Sequence, residues 1–128
     1  MRLQQLPVDK KRTFCVLIIE DEPMIALGFE DVLIDAGFQI AGVVGKLEKA
    51  MALIESGVCD AAIVDANLAG VSASPAAIAL AARGLPYIVT SGYSPEQMQG
   101  DFPGALYVQK PCRPEVLLQT LNHLLTDH

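Results

Sequence analysis

Acidic side chains follow two of the short apolar runs in this sequence, and their chemistry is that of a divalent-cation site. Glu20-Asp21-Glu22 comes directly after the apolar run at 14–19, and Asp65 comes directly after the run at 61–64. Burial of a carboxylate at the end of a strand costs free energy unless the carboxylate is paired with a cation or binds a metal. Neighbouring carboxylates repel each other, and Mg²⁺ relieves that repulsion by taking one or two of them and completing its octahedron with water, a carbonyl or phosphate oxygens. These acids therefore predict a magnesium site.

A hydroxyl and a lysine follow two further apolar runs. Ser91 comes after the run at 87–89, and Lys110 comes after the run at 105–108. Beside several carboxylates, a lysine is a counter-ion and can act as a phosphate ligand. A carboxylate that takes a phosphoryl group, with Mg²⁺ and a lysine neutralising the charge, fits this set of residues best.

Taken singly, each of these residues has a plainer explanation. One of the acids at 20–22 can cap a helix, Ser91 can form a turn, and Lys110 can lie at the surface. Tyr107 alone is typical of a half-buried strand. Three acids exceed what a helix cap requires, however, and the joint arrangement favours a site.

The elements that position these residues alternate regularly along the chain. Five apolar runs of strand length are separated by helical patterns: Phe14–Ile19, Phe38–Val44, Ala61–Val64, Tyr87–Val89 and Ala105–Val108. Strands that are apolar on both faces are typical of a parallel sheet covered by helices. The alternation therefore predicts a doubly wound three-layer sandwich, whose sites lie at the carboxyl ends of the strands.

Prolines predict where three of the helices begin, and they weaken a fourth. Pro23, Pro75 and Pro114 each stand at the start of a helical pattern, where proline is tolerated. The segment Ser94–Gly104 contains two prolines and two glycines. It leaves room for little more than one or two helical turns.

Composition and charge narrow the classes of function. The chain has 128 residues, of which 52% are hydrophobic, and is one domain's worth. No apolar run approaches the roughly 20 residues of a membrane span, and the first residues do not have the pattern of a signal peptide, so we expect a cytoplasmic protein. A net charge of −6 argues against nucleic-acid binding. Residues 1–12 are expected to form a flexible arm ahead of a domain at 13–128.

The span 14–125 resembles the receiver domain of bacterial two-component response regulators, the CheY-like family. The resemblance is carried by the strand and acids Val16–Glu22, by Asp65, by Ser91 and by Lys110-Pro111. Each motif is weak alone, but together, in this order and spacing, they are highly specific.

Within that family the chain is most similar to single-domain receivers that bear a Phe-Ala-Thr-Gly-hydrophobic-Tyr signature. The signature here has the form Val89-Thr90-Ser91-Gly92-Tyr93, so its Phe is replaced by Val89 and its Thr by Ser91. The resemblance implies a flavodoxin-like α/β fold, a (βα)₅ sandwich with a five-stranded parallel sheet in the order 2-1-3-4-5. The fourth helix would be short or irregular.

The resemblance also implies the metal ligands. Asp65 would be the phosphoacceptor, and Asp21 and Asp65 would bind Mg²⁺ directly. The backbone carbonyl of Asn67 would be a third ligand, and Glu20 would act through water. Glu20 stands where aspartate is commoner in the family, a change that should leave metal binding possible.

Further residues would bind the phosphoryl group and carry the signal away. Ser91 would hydrogen-bond the phosphoryl group, and Lys110 would pair with it. Tyr107 matches the aromatic residue that moves with the hydroxyl, and the peptide bond before Pro111 is usually cis in the family. The segment Ser94–Gly104 is expected to be the mobile output surface.

These features lead to the interpretation of a stand-alone receiver with no output domain after its last helix. A sensor histidine kinase or a histidine phosphotransfer protein would phosphorylate it. It would then switch contacts with an unidentified output protein or drain phosphate from a relay. We expect a monomer or weak dimer that contacts neither nucleic acid nor membrane. As a phosphoacceptor it would promote only its own phosphotransfer and slow autodephosphorylation, without acting as an enzyme on external substrates.

Two other functions are compatible with the fold. A non-phosphorylated interaction module would keep the fold and lose the chemistry, and the intact acid, hydroxyl and lysine positions count against it. A small Mg²⁺-dependent phosphatase of the haloacid-dehalogenase type would carry a second aspartate two residues after the first, where this chain has Asn67.

Overall fold

Strands and helices alternate through the part of the chain that a computed structural model describes, residues 14–98 and 100–126. The elements are β1 Cys15–Ile19, α1 Pro23–Asp35, β2 Gln39–Val44, α2 Leu47–Ser56, β3 Ala61–Asp65, β4 Asn67–Leu68, β5 Val71–Ser72, α3 Ser74–Ala82, β6 Tyr87–Ser91, β7 Leu106–Gln109 and α4 Pro114–Thr126. The predicted boundary between arm and domain lies outside these residues, as do residues 127 and 128.

The five longer strands form one parallel sheet in the order β2-β1-β3-β6-β7. With the two-residue strands left out, this is the predicted order 2-1-3-4-5, and the flavodoxin-like (βα)₅ fold is confirmed. In the register, Ile19 lies beside Val64 and Asp65 lies beside Thr90. The residues that leave β1, β3 and β6 therefore emerge at the same edge of the sheet, where the polar residues fall.

Helices cover both faces of the sheet. Val16 and Ile18 of β1 belong to a buried cluster with side chains of α1 and α4, whereas Leu17 and Ile19 belong to a second cluster with side chains of α2 and α3. Because successive side chains of a strand point to opposite faces, this division explains why the strand is apolar throughout.

The helices begin close to the residues that the prolines indicated. α1 begins at Pro23 and α4 begins at Pro114, as predicted, while α3 begins at Ser74, one residue before Pro75. No helix among the described residues is both long enough and apolar enough to span a membrane.

A small antiparallel hairpin between β3 and α3 was absent from the sequence-based expectation. Asn67 pairs with Ser72 and Leu68 with Val71. The two loop residues, Ala69 and Gly70, have φ values of 52° and 91°. Two positive φ values in a two-residue loop are typical of a type I′ hairpin, where asparagine or aspartate usually precedes the glycine. Ala69 is an uncommon occupant of that position, so the hairpin carried no sequence signal.

The described residues of the connection between β6 and β7 contain no α-helix, in agreement with the expectation of a short or irregular fourth helix. Its only helical part among the described residues is a 3₁₀ turn at Pro95–Gln97. The second half of the connection is fastened to α3, because Ser74 Oγ donates to the Asp101 carbonyl at 2.7 Å and accepts from the Asp101 N–H at 2.8 Å. A Cβ built on Gly100 would be 2.6 Å from Ser74 Cβ, so there is no space for a side chain at this position. The φ of Gly100 is 93°, a conformation that also favours glycine.

Candidate functional site

Three acidic side chains meet at the carboxyl edge of the sheet. Glu20 and Asp21 follow β1, and Asp65 is the last residue of β3. Glu20 is 3% exposed and Asp65 5% exposed, while Asp21 is half-buried. One carboxylate oxygen from each of the three lies within 4.8 Å of the others. Glu20, Asp21 and Asp65, which the sequence predicted to form one acidic site, therefore lie together in the structure.

Lys110 is the cation that faces this acidic group. Its Nζ lies 3.0 Å from Asp65 Oδ2 and 3.1 Å from Glu20 Oε1. Glu22 is more distant, at 3.9 Å, and its side chain is exposed. Burial alone lowers the pKa of Lys110, but the hydrogen bond to Asp65 and the charges of Asp65 and Glu20 outweigh it and raise the pKa. Lys110 therefore stays protonated between the two buried acids.

One lysine does not balance the negative charge of three acids. Burial, followed by the charge of Asp65, raises the pKa of Glu20 to about 7, although the N–H of Glu22 and the ammonium of Lys110 act in the opposite direction. Burial is also the main cause of a raised pKa at Asp21, and the charge of Asp65 adds to it. Both shifts show that the ionised forms are costly here.

The donor atoms of this site fit a hard divalent cation. All are oxygens, which Mg²⁺ prefers. Glu20 Oε1 is buried and accepts no hydrogen bond, even though Lys110 Nζ is 3.1 Å away, because the geometry of that contact is unsuitable. An ion beside Glu20, Asp21 and Asp65 would satisfy this oxygen, directly or through a water, and would offset the surplus charge.

The two oxygens of Asp65 have different partners. Oδ2 accepts from Lys110 Nζ at 3.0 Å, and Oδ1 accepts from the backbone N–H of Asn67 at 3.2 Å. The side chain of Asn67 is engaged elsewhere, since its Oδ1 accepts from the Gly70 N–H at 2.6 Å in the hairpin turn. The hairpin therefore orients the Asp65 carboxylate through a backbone bond.

Ser91 reaches the same cavity from the end of β6. This cavity has a volume of about 320 Å³, and its lining includes Asp21, Asp65, Ser91 and Lys110. Side chains alternate along a strand, so the neighbouring hydroxyl of Thr90 faces away from the cavity. The Thr90 hydroxyl is fully buried and has no hydrogen-bond partner among the described residues. Ser91 is thus the hydroxyl that the geometry places at the site.

Tyr107 lies outside the cavity but is connected to it through Tyr93. The backbone N–H of Tyr93 donates to Ser91 Oγ at 3.0 Å, and the Tyr107 hydroxyl donates to the Tyr93 carbonyl. Sequence reasoning assigned no role to Tyr93, because its backbone makes both contacts and a side-chain motif cannot show them. The peptide bond between Lys110 and Pro111 is cis.

Comparisons with known proteins agree with this geometry. A family model described as "Response regulator receiver domain" matches residues 16–122. The solution structure of SdrG from Sphingomonas melonis Fr1 is 36% identical, with 89% of this chain and 98% of that chain covered and a TM-score of 0.75.

Two further solved structures are similar. A BeF3-activated SdrG from Pseudomonas melonis Fr1 is 38% identical (87% and 95% covered, TM-score 0.71). The receiver domain of the PhyR response regulator from Erythrobacter litoralis is 29% identical (88% and 90% covered, TM-score 0.76). The chain spans about half the length of other PhyR structures that it matches. Among curated protein sequences there is no significant match.

Proposed function

This chain belongs to the response regulator receiver domain family, and from that membership we propose that Asp65 accepts a phosphoryl group from a phosphohistidine donor. The observation that carries the proposal is the 3.0 Å ion pair between Asp65 and Lys110, inside a cavity that Asp21 and Ser91 also line. The donor would be a sensor histidine kinase or a histidine phosphotransfer protein, in the cytoplasm.

In the proposed transfer, a carboxylate oxygen of Asp65 attacks the phosphorus atom. The phosphorus–nitrogen bond of the phosphohistidine breaks, and the imidazole leaves with that electron pair. Asp21, Asp65 and the carbonyl of Asn67 would hold Mg²⁺, with Glu20 acting through water. The chemistry supplied by the bound ion is neutralisation of charge on the phosphoryl oxygens.

Lys110 and Ser91 would provide the remaining contacts to the phosphoryl group. Lys110 already lies at Asp65, so its ammonium can follow the negative charge onto the new phosphoryl oxygens. A phosphoryl group brings roughly two negative charges and several acceptor oxygens. The Ser91 hydroxyl can turn towards one of those oxygens.

A turn of Ser91 would change its contact with Tyr93, and this is how we propose that the signal leaves the site. The Ser91 oxygen now accepts from the Tyr93 N–H, and the Tyr93 carbonyl accepts from Tyr107. Loss of the first bond would free the Tyr93 backbone to move with Tyr107. Tyr93 is 58% exposed, so its displacement would change the surface that a bound protein contacts.

The solved BeF3-activated conformation of SdrG, a protein 38% identical to this one, supports the proposal. We expect BeF3⁻ to activate this chain in the same way. The activated form would make or break contacts with an output protein, as a monomer or weak dimer.

Intact-mass measurement after incubation with a small acyl phosphate and Mg²⁺ tests the proposed function. The wild type should gain the mass of one phosphoryl group, and Asp65→Asn should gain none. Glu22→Gln, which alters a neighbouring exposed acid, should still be labelled. Unchanged wild-type mass would favour the interaction module, and continuous hydrolysis of the acyl phosphate would favour a phosphatase.

A further inference from the structure

The loop between β2 and α2 lies against the backbone of the acidic site. A Cβ atom built on Gly45 would be 3.0 Å from Asp21 Cα, 3.4 Å from Asp21 Cβ and 3.4 Å from the Glu20 carbonyl oxygen. The φ of Gly45 is outside the left-handed region, so its backbone conformation suits any residue. The close approach to Asp21 is therefore what a side chain at this position would disturb.

The residues on either side of Asp21 are held by hydrogen bonds, so a group added at position 45 would act on Asp21 itself. The N–H of Glu20 donates to the Val44 carbonyl at 2.9 Å, which fastens the segment before Asp21 to the end of β2. The N–H of Glu22 donates to a carboxylate oxygen of Glu20 at 3.2 Å, and α1 begins one residue later. A methyl group at position 45 would therefore displace Asp21 by a few tenths of an ångström.

We propose that Gly45 is a positioning residue for the metal site, because the absence of a side chain allows the β2–α2 loop to close on Asp21 and aim its carboxylate at Asp65. This inference rests on the proposed metal binding. Mg²⁺ demands near-ideal octahedral geometry, and functional constellations tolerate errors of about 0.5 Å. A displacement of Asp21 by a few tenths of an ångström takes up much of that tolerance.

The test is a titration of Mn²⁺, followed by electron paramagnetic resonance, with Mg²⁺ affinity obtained by competition. In Gly45→Ala the dissociation constant for Mn²⁺ should rise about threefold to tenfold. This is less than the roughly 10–100-fold loss of metal affinity that follows removal of an outer-shell hydrogen-bond partner. If Gly45 acts through Asp21, the same substitution should have no further effect in an Asp21→Ala background.

Two other glycines supply matched controls. A Cβ on Gly42 would be 2.8 Å from Leu53 Cδ1, so Gly42→Ala crowds the adjoining strand β2 without touching the acids. A Cβ on Gly28, in α1, would be 3.3 Å from Pro114 Cγ, a contact of similar tightness that involves none of the three acids. Both variants should bind Mn²⁺ with the wild-type constant, and both should be checked by circular dichroism for folding alongside Gly45→Ala.

A second measurement does not depend on the folding of any variant. In the wild type, addition of Mg²⁺ should shift the amide signal of Gly45 in nuclear magnetic resonance spectra and leave that of the distant Gly57 in place. Three results would overturn the positioning role of Gly45 while leaving the proposed metal site in place. They are wild-type affinity in Gly45→Ala, an equal loss of affinity in Gly42→Ala, and a Gly45 amide signal that Mg²⁺ does not shift. Failure of the wild type to bind either ion would instead overturn the proposed metal site, and this inference with it.

Discussion

In the absence of divalent cations, the free energy of unfolding should fall as the pH rises from about 5 to about 8, because Glu20 ionises in this range. Burial and the charge of Asp65 raise the pKa of Glu20 in the folded protein from 4.5 to about 7. The folded state therefore keeps a proton that the unfolded chain has already released. The stability that this proton contributes is fully present below the unfolded pKa and is lost as the pH rises through 7.

The size of the effect follows from the two pKa values. A shift from 4.5 to about 7 corresponds to about 3 kcal/mol over the whole titration, at about 1.4 kcal/mol per pH unit. Integration from about pH 5 to about pH 8 retains roughly 2–3 kcal/mol of it. The Glu20 side chain is 1% exposed, so solvent screens the interaction little.

Urea denaturation at several pH values, with a chelator present, measures this loss in the wild type and in Glu20→Gln. The glutamine cannot ionise, so the variant should show a smaller decline and should exceed the wild type in stability at about pH 8. The two proteins differ only at position 20, so the difference between the two curves reports on Glu20. Addition of Mg²⁺ at about pH 8 should restore wild-type stability by mass action. Parallel curves for the two proteins would refute the reasoning.

Three further substitutions address the parts of the proposed mechanism separately. Lys110→Met should slow labelling by acyl phosphate about 100-fold, the order of loss when one preorganised donor to a developing charge is removed; labelling at the wild-type rate would contradict this role. Ser91→Ala should still accept the phosphoryl group, but BeF3⁻ should no longer change amide exchange around Tyr93, and an undiminished change would disprove the coupling. Ser74→Ala removes two hydrogen bonds to Asp101, so urea denaturation should show about 1–3 kcal/mol less stability. Amide exchange at 100–105 should then accelerate. An unaltered rate there would show that the hydrogen bonds from Ser74 do not hold this segment.

Much of the fold could be predicted because its signals are local. Strands that are apolar on both faces imply a parallel sheet, and Pro23 and Pro114 stand where α1 and α4 begin. The meeting of Asp21, Asp65 and Lys110 follows from the same pattern, since each comes at or just after the end of a parallel strand. The sheet geometry alone then determines which polar residues are neighbours.

The remaining features depend on contacts between distant parts of the chain. The bond from Ser74 to Asp101 joins residues 27 positions apart, and it divides a segment that the sequence predicted to be mobile as a whole. The close approach of Gly45 to Asp21 is a matter of tenths of an ångström, which no residue pattern encodes. The raised pKa of Glu20 likewise arises from burial that only the folded packing creates.

The most direct test of the central claim is chemical identification of the phosphorylated residue. Borohydride reduces an aspartyl phosphate to homoserine, so the protein should be incubated with acyl phosphate and Mg²⁺, reduced, digested and analysed by peptide mass spectrometry. We expect homoserine at position 65, dependent on Mg²⁺ and absent from Asp65→Asn. Homoserine at another acidic position, or at none in the wild type, would contradict the account.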